Sequence, residues 1–210
     1  MERKISENDF VEIESMRNEY EAMGYKVEKF TREISVKDYI AGGFVRPDEF
    51  IEYCKQCSDY GRVWSCPPYD FKPLDYWKQF DSLVCYALKF EYDEGTDKEK
   101  RRAIMFDLKN QMLEELLSME KEFPGSKALS AGNCMECWNC IDQNSREEVT
   151  YCSRIKGEPC RKCDRMRYSI ESIGGDTMKT MKELFGIEIL WAHGDELVPY
   201  NVLLGGLLKK

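Results

Sequence analysis

Histidine is almost missing from this sequence: His193 is the only one among 210 residues. A Ser/His/Asp relay therefore has little to draw on. Positive charge is also short. Lys+Arg 31 against Asp+Glu 39 leaves a net charge of −8, which argues against a general nucleic-acid surface, because neutralising phosphates takes a basic face. No apolar run is long enough for a bilayer. The most apolar stretch, Val202-Leu203-Leu204-Gly205-Gly206-Leu207-Leu208, reads as a terminal strand or packed tail. Met1-Glu2-Arg3-Lys4 runs into a charged segment without the apolar core of an export signal, so a cytoplasmic location is expected. Walker, dinucleotide and flavin motifs are missing, and Gly42-Gly43 and Gly205-Gly206 lack the required context. These gaps lead to the expectation of no nucleic-acid partner and no membrane partner.

What the chain has in excess is cysteine, ten in all. In a reducing compartment these are thiols rather than a disulfide framework. Thiolates are soft donors that select zinc, cuprous copper or iron–sulfur clusters. A first set comprises Cys54-x-x-Cys57 and, after eight intervening residues, Cys66-Pro67-Pro68. A second comprises Cys134-x-x-Cys137-x-x-Cys140, with Cys152, Cys160 and Cys163 following. The triple two-residue spacing suits three thiolates of a cubane, whose fourth comes from elsewhere in the chain. That fourth ligand is Cys152, Cys160 or Cys163; Cys160, between Pro159 and Arg161-Lys162, is favoured. A four-cysteine zinc site from Cys137/Cys140 and Cys160/Cys163 is the alternative, although it leaves Cys134 unused.

The first set has three thiols and no local fourth. Cys85, Cys152, Cys163 or His193 could complete it, its fourth position could stay open, or it could share one site with the second set. An open iron would act as a Lewis acid on a substrate. Cys85, mid-strand among apolar neighbours, reads as core, and His193 at a strand end reads as structural. Tyr60, Trp64, Tyr69 and Trp138 lie beside the cysteines and would shield a cluster from water. Arg161, Lys162, Arg165 and Arg167 would offset its negative charge. Ser169, Glu171 and Asp176 could line a pocket, but helix capping and solvation account for them equally well.

Periodicity predicts a helix over Glu7 to Met23, a strand over Tyr25 to Ile34, and a loop-rich first cysteine segment with a short helix at Pro47 to Cys54. Ser82 to Tyr92, apolar on both faces, reads as a central strand. Met105, Leu108, Met112, Leu116, Met119 and Phe123 mark a long helix over Asp97 to Phe123, closed by Pro124-Gly125. A short strand at Ser126 to Ala131 follows. Helices at Asp164 to Ile173 and Asp176 to Phe185, then strands at Ile187 to Ala192 and Tyr200 to Leu204, complete the order. The expected fold is α+β: a small, mainly antiparallel sheet with helices on one face and two cysteine-rich metal-binding loops. The expected organisation is one metal-binding domain over 1–210. Within it, 1–36 is an N-terminal helix and strand, 37–80 the first cysteine loop, and 81–210 the core with the second cluster.

The stretch Cys54-x-x-Cys57-x-x-Tyr60-Gly61-x-x-Trp64-x-Cys66-Pro67-Pro68 resembles the N-terminal signature of a family of cysteine-rich predicted metal-binding proteins, found mostly in anaerobic bacteria and archaea. The second half agrees: Ala128-Leu129-Ser130-Ala131-Gly132-x-Cys134-x-x-Cys137-x-x-Cys140, Pro159-Cys160-Arg161, and Arg167-x-Ser169-x-Glu171-x-x-Gly174. Cys152 and Cys163 are extra to that pattern. The resemblance implies a cytoplasmic iron–sulfur or other metal-binding protein and favours Cys160 over Cys163; it supplies no substrate. The expected function is binding of one or two [4Fe-4S] clusters with an electron-transfer or redox role, the partner being a redox protein or a small-molecule substrate. Its alternatives are an enzyme with an open iron, and a zinc-stabilised interaction module.

Overall fold

The computed structural model describes residues 24–137, 140–141, 148–149, 151–192 and 196–210. The expected helix at Glu7 to Met23, Trp138 and His193 lie outside them. Tyr25, Val27, Phe30, Thr31 and Ile34, β-branched and aromatic residues, favour β1 (Tyr25–Ser35), which runs straight into α1 (Val36–Ala41). That helix starts where the Ser35 hydroxyl accepts from the Asp38 amide at 3.0 Å, a cap in a stretch whose turn formers predict a loop. Pro47 opens α2 (Pro47–Cys54), as expected, and Pro73 opens α3 (Pro73–Trp77). Then come β2 (Ser82–Tyr92), α4 (Lys98–Glu122), β3 (Lys127–Leu129), the small pair β4 (Cys140–Ile141) and β5 (Glu148–Val149), α5 (Thr177–Phe185) and β6 (Tyr200–Lys209).

The main sheet has the order β1-β2-β6-β3 and is antiparallel throughout, so the α+β class is as expected. The strand expected at Tyr200 to Leu204 continues to Lys209 and lies inside the sheet, between β2 and β3. Residue alternation on these strands feeds two cores. On one face Tyr86, Leu88 and Phe90 meet Ile104, Leu108, Met112 and Leu116 of α4. The opposite face is covered as well: Leu83, Cys85 and Ala87 meet Val36, Tyr39, Trp77, Ile170, Ile173 and Met181 from short helices and loops. Ile104, not Met105, leads the buried stripe of α4, and Met105 and Phe123 are exposed.

Two expected elements are not regular. Residues 164–173 are turns ending in a 3-10 turn, Glu171–Ile173. Their backbone bonds sideways: Ser130 N–H donates to Tyr168 O at 2.8 Å, and Ser130 bridges Ser169 in parallel. Residues 187–192 are irregular because the end of α5 takes up the Ile187 amide, which donates to Met181 O at 3.1 Å beside the left-handed Gly186.

Gly205 and Gly206 set how closely the layers approach. A Cβ at Gly205 would lie 2.8 Å from Leu129 O and 2.9 Å from Leu116 Cδ1. A carbonyl in a strand pair cannot yield as a side-chain tip can. Gly205→Ala is therefore expected to destabilise the fold by about 1–3 kcal/mol through overpacking. Urea unfolding checks this, and an unchanged midpoint would mean that β3 can shift freely.

Candidate metal centre

The first cysteine loop folds back on itself. Cys54 ends α2, Cys57 N–H donates to Cys54 O at 3.0 Å, and Tyr60 N–H donates to Cys57 O at 3.2 Å. Gly61 N–H then donates to Pro67 O at 2.8 Å, closing the loop and returning Cys66 toward the other two thiols. Arg154 clamps that return by donating to the carbonyls of Val63, Cys66 and Pro68. Its guanidinium also lies over the Trp64 ring, and the Trp64 indole donates to Glu158 O at 3.2 Å. Tyr69 donates to Ser65 O at 2.6 Å and packs against Phe71 and Tyr168, forming an aromatic layer under the loop.

The second set leaves the sheet just after β3. Cys134 N–H donates to the Ser65 hydroxyl at 2.9 Å, and that hydroxyl lies 3.8 Å from Cys66 Sγ. One serine thus joins the two sets. Cys137 is buried, Cys152 and Cys160 are half-buried, and Cys163 is exposed. Cys140 opens β4; its side chain is outside what is described. No disulfide links the described cysteines. Among the described residues, no group of three or more His, Cys, Asp or Glu side chains is gathered tightly enough to hold one ion.

Electrostatics sorts the thiols into neighbourhoods. Burial pushes the Cys66 thiol up to about 12, and Cys57 and Cys54 add to the rise. Cys54 is raised by burial, then by Cys57 and Glu171. Burial pushes Cys134 up to about 12 as well, with Glu136, Cys137 and Cys160 adding to it. Cys160 is raised by burial and by Cys152 and Cys163. Cys85 also reaches about 12, through burial alone, and sits in the sheet core as expected. Thiols this reluctant to ionise need a cation to hold them as thiolates. The donor chemistry of both sets therefore fits a thiolate-bound metal.

Several polar residues at the junction were missed by sequence reasoning. Lys109 of α4 donates to Asn133 O at 2.6 Å and Oδ1 at 3.0 Å, and Asn133 donates to Asp59 Oδ2 at 2.8 Å. Burial holds the Lys109 ammonium below its usual range, while Glu171, Cys134, Cys66 and Asp59 oppose that shift. Lys109 is thus a cation felt by both thiol sets, and its place beside an apolar stripe gives no warning of this. Asp176 caps α5 by accepting from Lys179 N–H at 2.8 Å, and it pairs with Arg46. Ser169 and Ser172 bond each other across their turn. Those two serines and Asp176 have local structural roles.

The sequence profile of the family described as "Predicted metal-binding protein (DUF2284)" matches residues 41–204. The chain belongs to that family. Neither a curated protein nor a solved structure matches it. The matched span of this predicted metal-binding protein runs from the end of α1 into β6 and includes every cysteine of both sets.

The basic residues expected to offset a cluster largely serve the scaffold. Arg165 pairs with Glu114 and Glu136, and Arg167 grips Glu120 through Nε at 2.7 Å and Nη2 at 2.9 Å. Arg161 donates to Tyr151 O and pairs with Glu158, while the charge of Cys137 also reaches it. Glu120 also accepts from Ala128 N–H and Lys127, tying α4 to β3 and to the segment after the second set. Burial alone would raise the Glu120 carboxyl, but Arg167, Ala128 and Lys127 outweigh it and hold the carboxyl below its usual range. Both side chains are mostly buried, so Arg167→Ala is expected to cost about 3 kcal/mol. A depressed carboxylate gives stability that is complete above its unfolded value of 4.5 and is lost as pH falls through the lower folded value. Urea titrations from pH 7 to 3 on parent and Glu120→Gln check this. Parallel curves below pH 4.5 would rule out the linkage.

Proposed function

We propose that the chain is a cytoplasmic iron–sulfur protein that carries one or two [4Fe-4S] clusters on its two thiol sets. Its role is to exchange electrons with a redox partner protein or a small-molecule substrate in anaerobic metabolism. One observation carries this reading: two separate sets of thiols meet at Ser65, whose hydroxyl accepts from the Cys134 amide and lies beside Cys66 Sγ. Two adjacent cofactor sites suit electron exchange between them. The would-be ligands are Cys54, Cys57 and Cys66 in the first set and Cys134, Cys137, Cys140 and Cys160 in the second, with Cys152 and Cys163 beside Cys160.

When bound, such a cluster supplies one-electron chemistry at a potential set by charge, hydrogen bonds and solvent access. The chain's own residues then have definite tasks. Lys109 balances negative charge between the sets, and the Cys134 amide is held by Ser65. Trp64, Tyr69 and Tyr168 limit water. The net charge of −8 suits docking to a basic patch on a partner. Among the described residues, no helix is long and apolar enough to cross a membrane. A second reading is favoured by the three-thiol first set: an enzyme in which a metal with an exchangeable position binds a small substrate.

Metal and sulfide analysis of protein purified without oxygen tests the proposal. Two clusters predict about eight irons and eight sulfides per chain, and Cys66→Ser should lose about half. Zinc without sulfide would overturn the redox reading and leave a zinc-stabilised module. Apo-protein titrated with Zn2+ near pH 7 should release roughly one proton per thiol ligated, with affinity weakening as pH falls. Calorimetry in buffers of different ionisation enthalpy reads that release. No proton release would mean that the buried thiols are not the ligands.

A further inference from the structure

The first thiol set lacks a fourth cysteine. Cys85 lies in the sheet core, where burial alone sets its ionisation. Cys152 and Cys163 are neighbours of Cys160 in the second set. Asp59 already holds Asn133 through Oδ2. One acceptor remains unspent. Ser169 and the Gly132 and Glu171 amides hydrogen-bond the Glu171 carboxyl, while Oε2 itself is sealed from solvent with no hydrogen-bond partner among the described residues. Lys109, the nearby cation, has its ammonium on the two Asn133 oxygens. A buried acceptor left this way is unfavourable unless something absent from the polypeptide completes it.

Geometry ties Glu171 to the first set. Its turn, Glu171–Ile173, packs on α2, the helix that ends in Cys54. Arg46 N–H donates to Gly174 O at 2.7 Å, and Val45 bridges Gly175. The approach of Gly174 to Pro47 is so close that a Cβ there would lie 2.5 Å from Pro47 Cα, and Gly174 has φ +85°. The start of α2 is therefore fixed on the Glu171 turn, and the Glu171 charge is felt at Cys54. We propose that Glu171, through Oε2, is the fourth protein ligand of the site built on Cys54, Cys57 and Cys66. This rests on the reading that the first set holds metal. Carboxylate oxygen ligates zinc and iron, but it is a harder donor than thiolate. Its metal is accordingly the one in the protein that exchanges ligands most readily, which suits entry of a small anionic or neutral oxygen or nitrogen donor.

The test compares the parent with Glu171→Gln, Glu171→Cys and Cys66→Ser, each purified without oxygen and reconstituted with ferrous iron and sulfide. Metal and sulfide content, the visible spectrum, and the rate of metal loss to a chelator are measured. The expected result is that Glu171→Gln keeps the second site but loses first-site metal several-fold faster than the parent. Glu171→Cys should restore retention and strengthen the thiolate-to-metal absorption. If Glu171→Gln matches the parent in content, spectrum and loss rate while Cys66→Ser loses a site, the ligand assignment is overturned and the metal reading stands. If Cys66→Ser matches the parent, the first set holds no metal and both fall. Should Glu171→Gln fail to fold by circular dichroism, Glu171→Cys decides. A new thiolate band with metal retained supports the assignment, and a spectrum identical to the parent's overturns it.

Discussion

The segment 167–176 is hydrogen-bonded to almost everything that surrounds the candidate site. Ser130 donates to Tyr168 O, extending the sheet edge beyond β3. Arg46 donates to Gly174 O, Asp176 donates to Phe44 O, and the Trp77 indole donates to Ile173 O at 3.0 Å, which fastens the first loop. Asp176 then caps α5. Loss of this segment would release the sheet edge beyond β3, the first loop and α5 together, because each satisfies backbone groups through it. Ile170 and Ile173 supply its apolar side to one core while Glu171 turns into the polar junction. A short irregular stretch can serve three neighbours in this way only because it is not a helix, whose amides would be spent internally.

Around that segment the chain accumulates electrostatic debts that its own residues do not settle. Burial raises Cys66 and Cys134 to about 12 and raises Cys54, Cys160 and Glu171 as well. Lys109 opposes them with one positive charge that is itself disfavoured by burial. In the metal-free state the economical response is to keep the thiols protonated. A bound cation reverses that preference for every donor at once. Metal affinity, proton release and local order are therefore three views of one linked equilibrium.

The sheet and long helix were legible because they rest on periodicity. β2 alternates with apolar residues on both faces, and α4 repeats at three- and four-residue steps from its Asp97 cap. The length of β6 was underread because Gly205-Gly206 looks like a break, whereas in the sheet those glycines admit Leu129 and Leu83. The helix expected at Asp164 to Ile173 failed because sideways bonding to Ser130 outweighs local propensity. At the candidate site, cysteine spacing revealed the donors. It could not reveal Ser65, Asn133 or Lys109, whose roles arise from contacts 24 to 74 residues apart along the chain. Glu171 was visible in a motif, yet the sequence could not separate a capping carboxylate from a buried one.

Cysteine ordinarily serves a fold as a small apolar residue and is among the types most often buried. Among the described cysteines, only Cys85 does so within the two cores. Cys57 and Cys163 are exposed, Cys54, Cys66, Cys134, Cys152 and Cys160 are half-buried, and Cys137, though buried, belongs to neither core. Packing therefore gives no reason for these thiols, and without disulfides among the described residues cross-linking gives none either. Both cores close around the sheet with Leu, Ile, Val, Ala, Phe, Tyr, Trp and Met, and neither includes a described thiol of the two sets. The apolar packing of the two cores therefore stands without the donors of either set. Because the Ser65 hydroxyl accepts from the Cys134 amide, the position of either cysteine loop constrains the other.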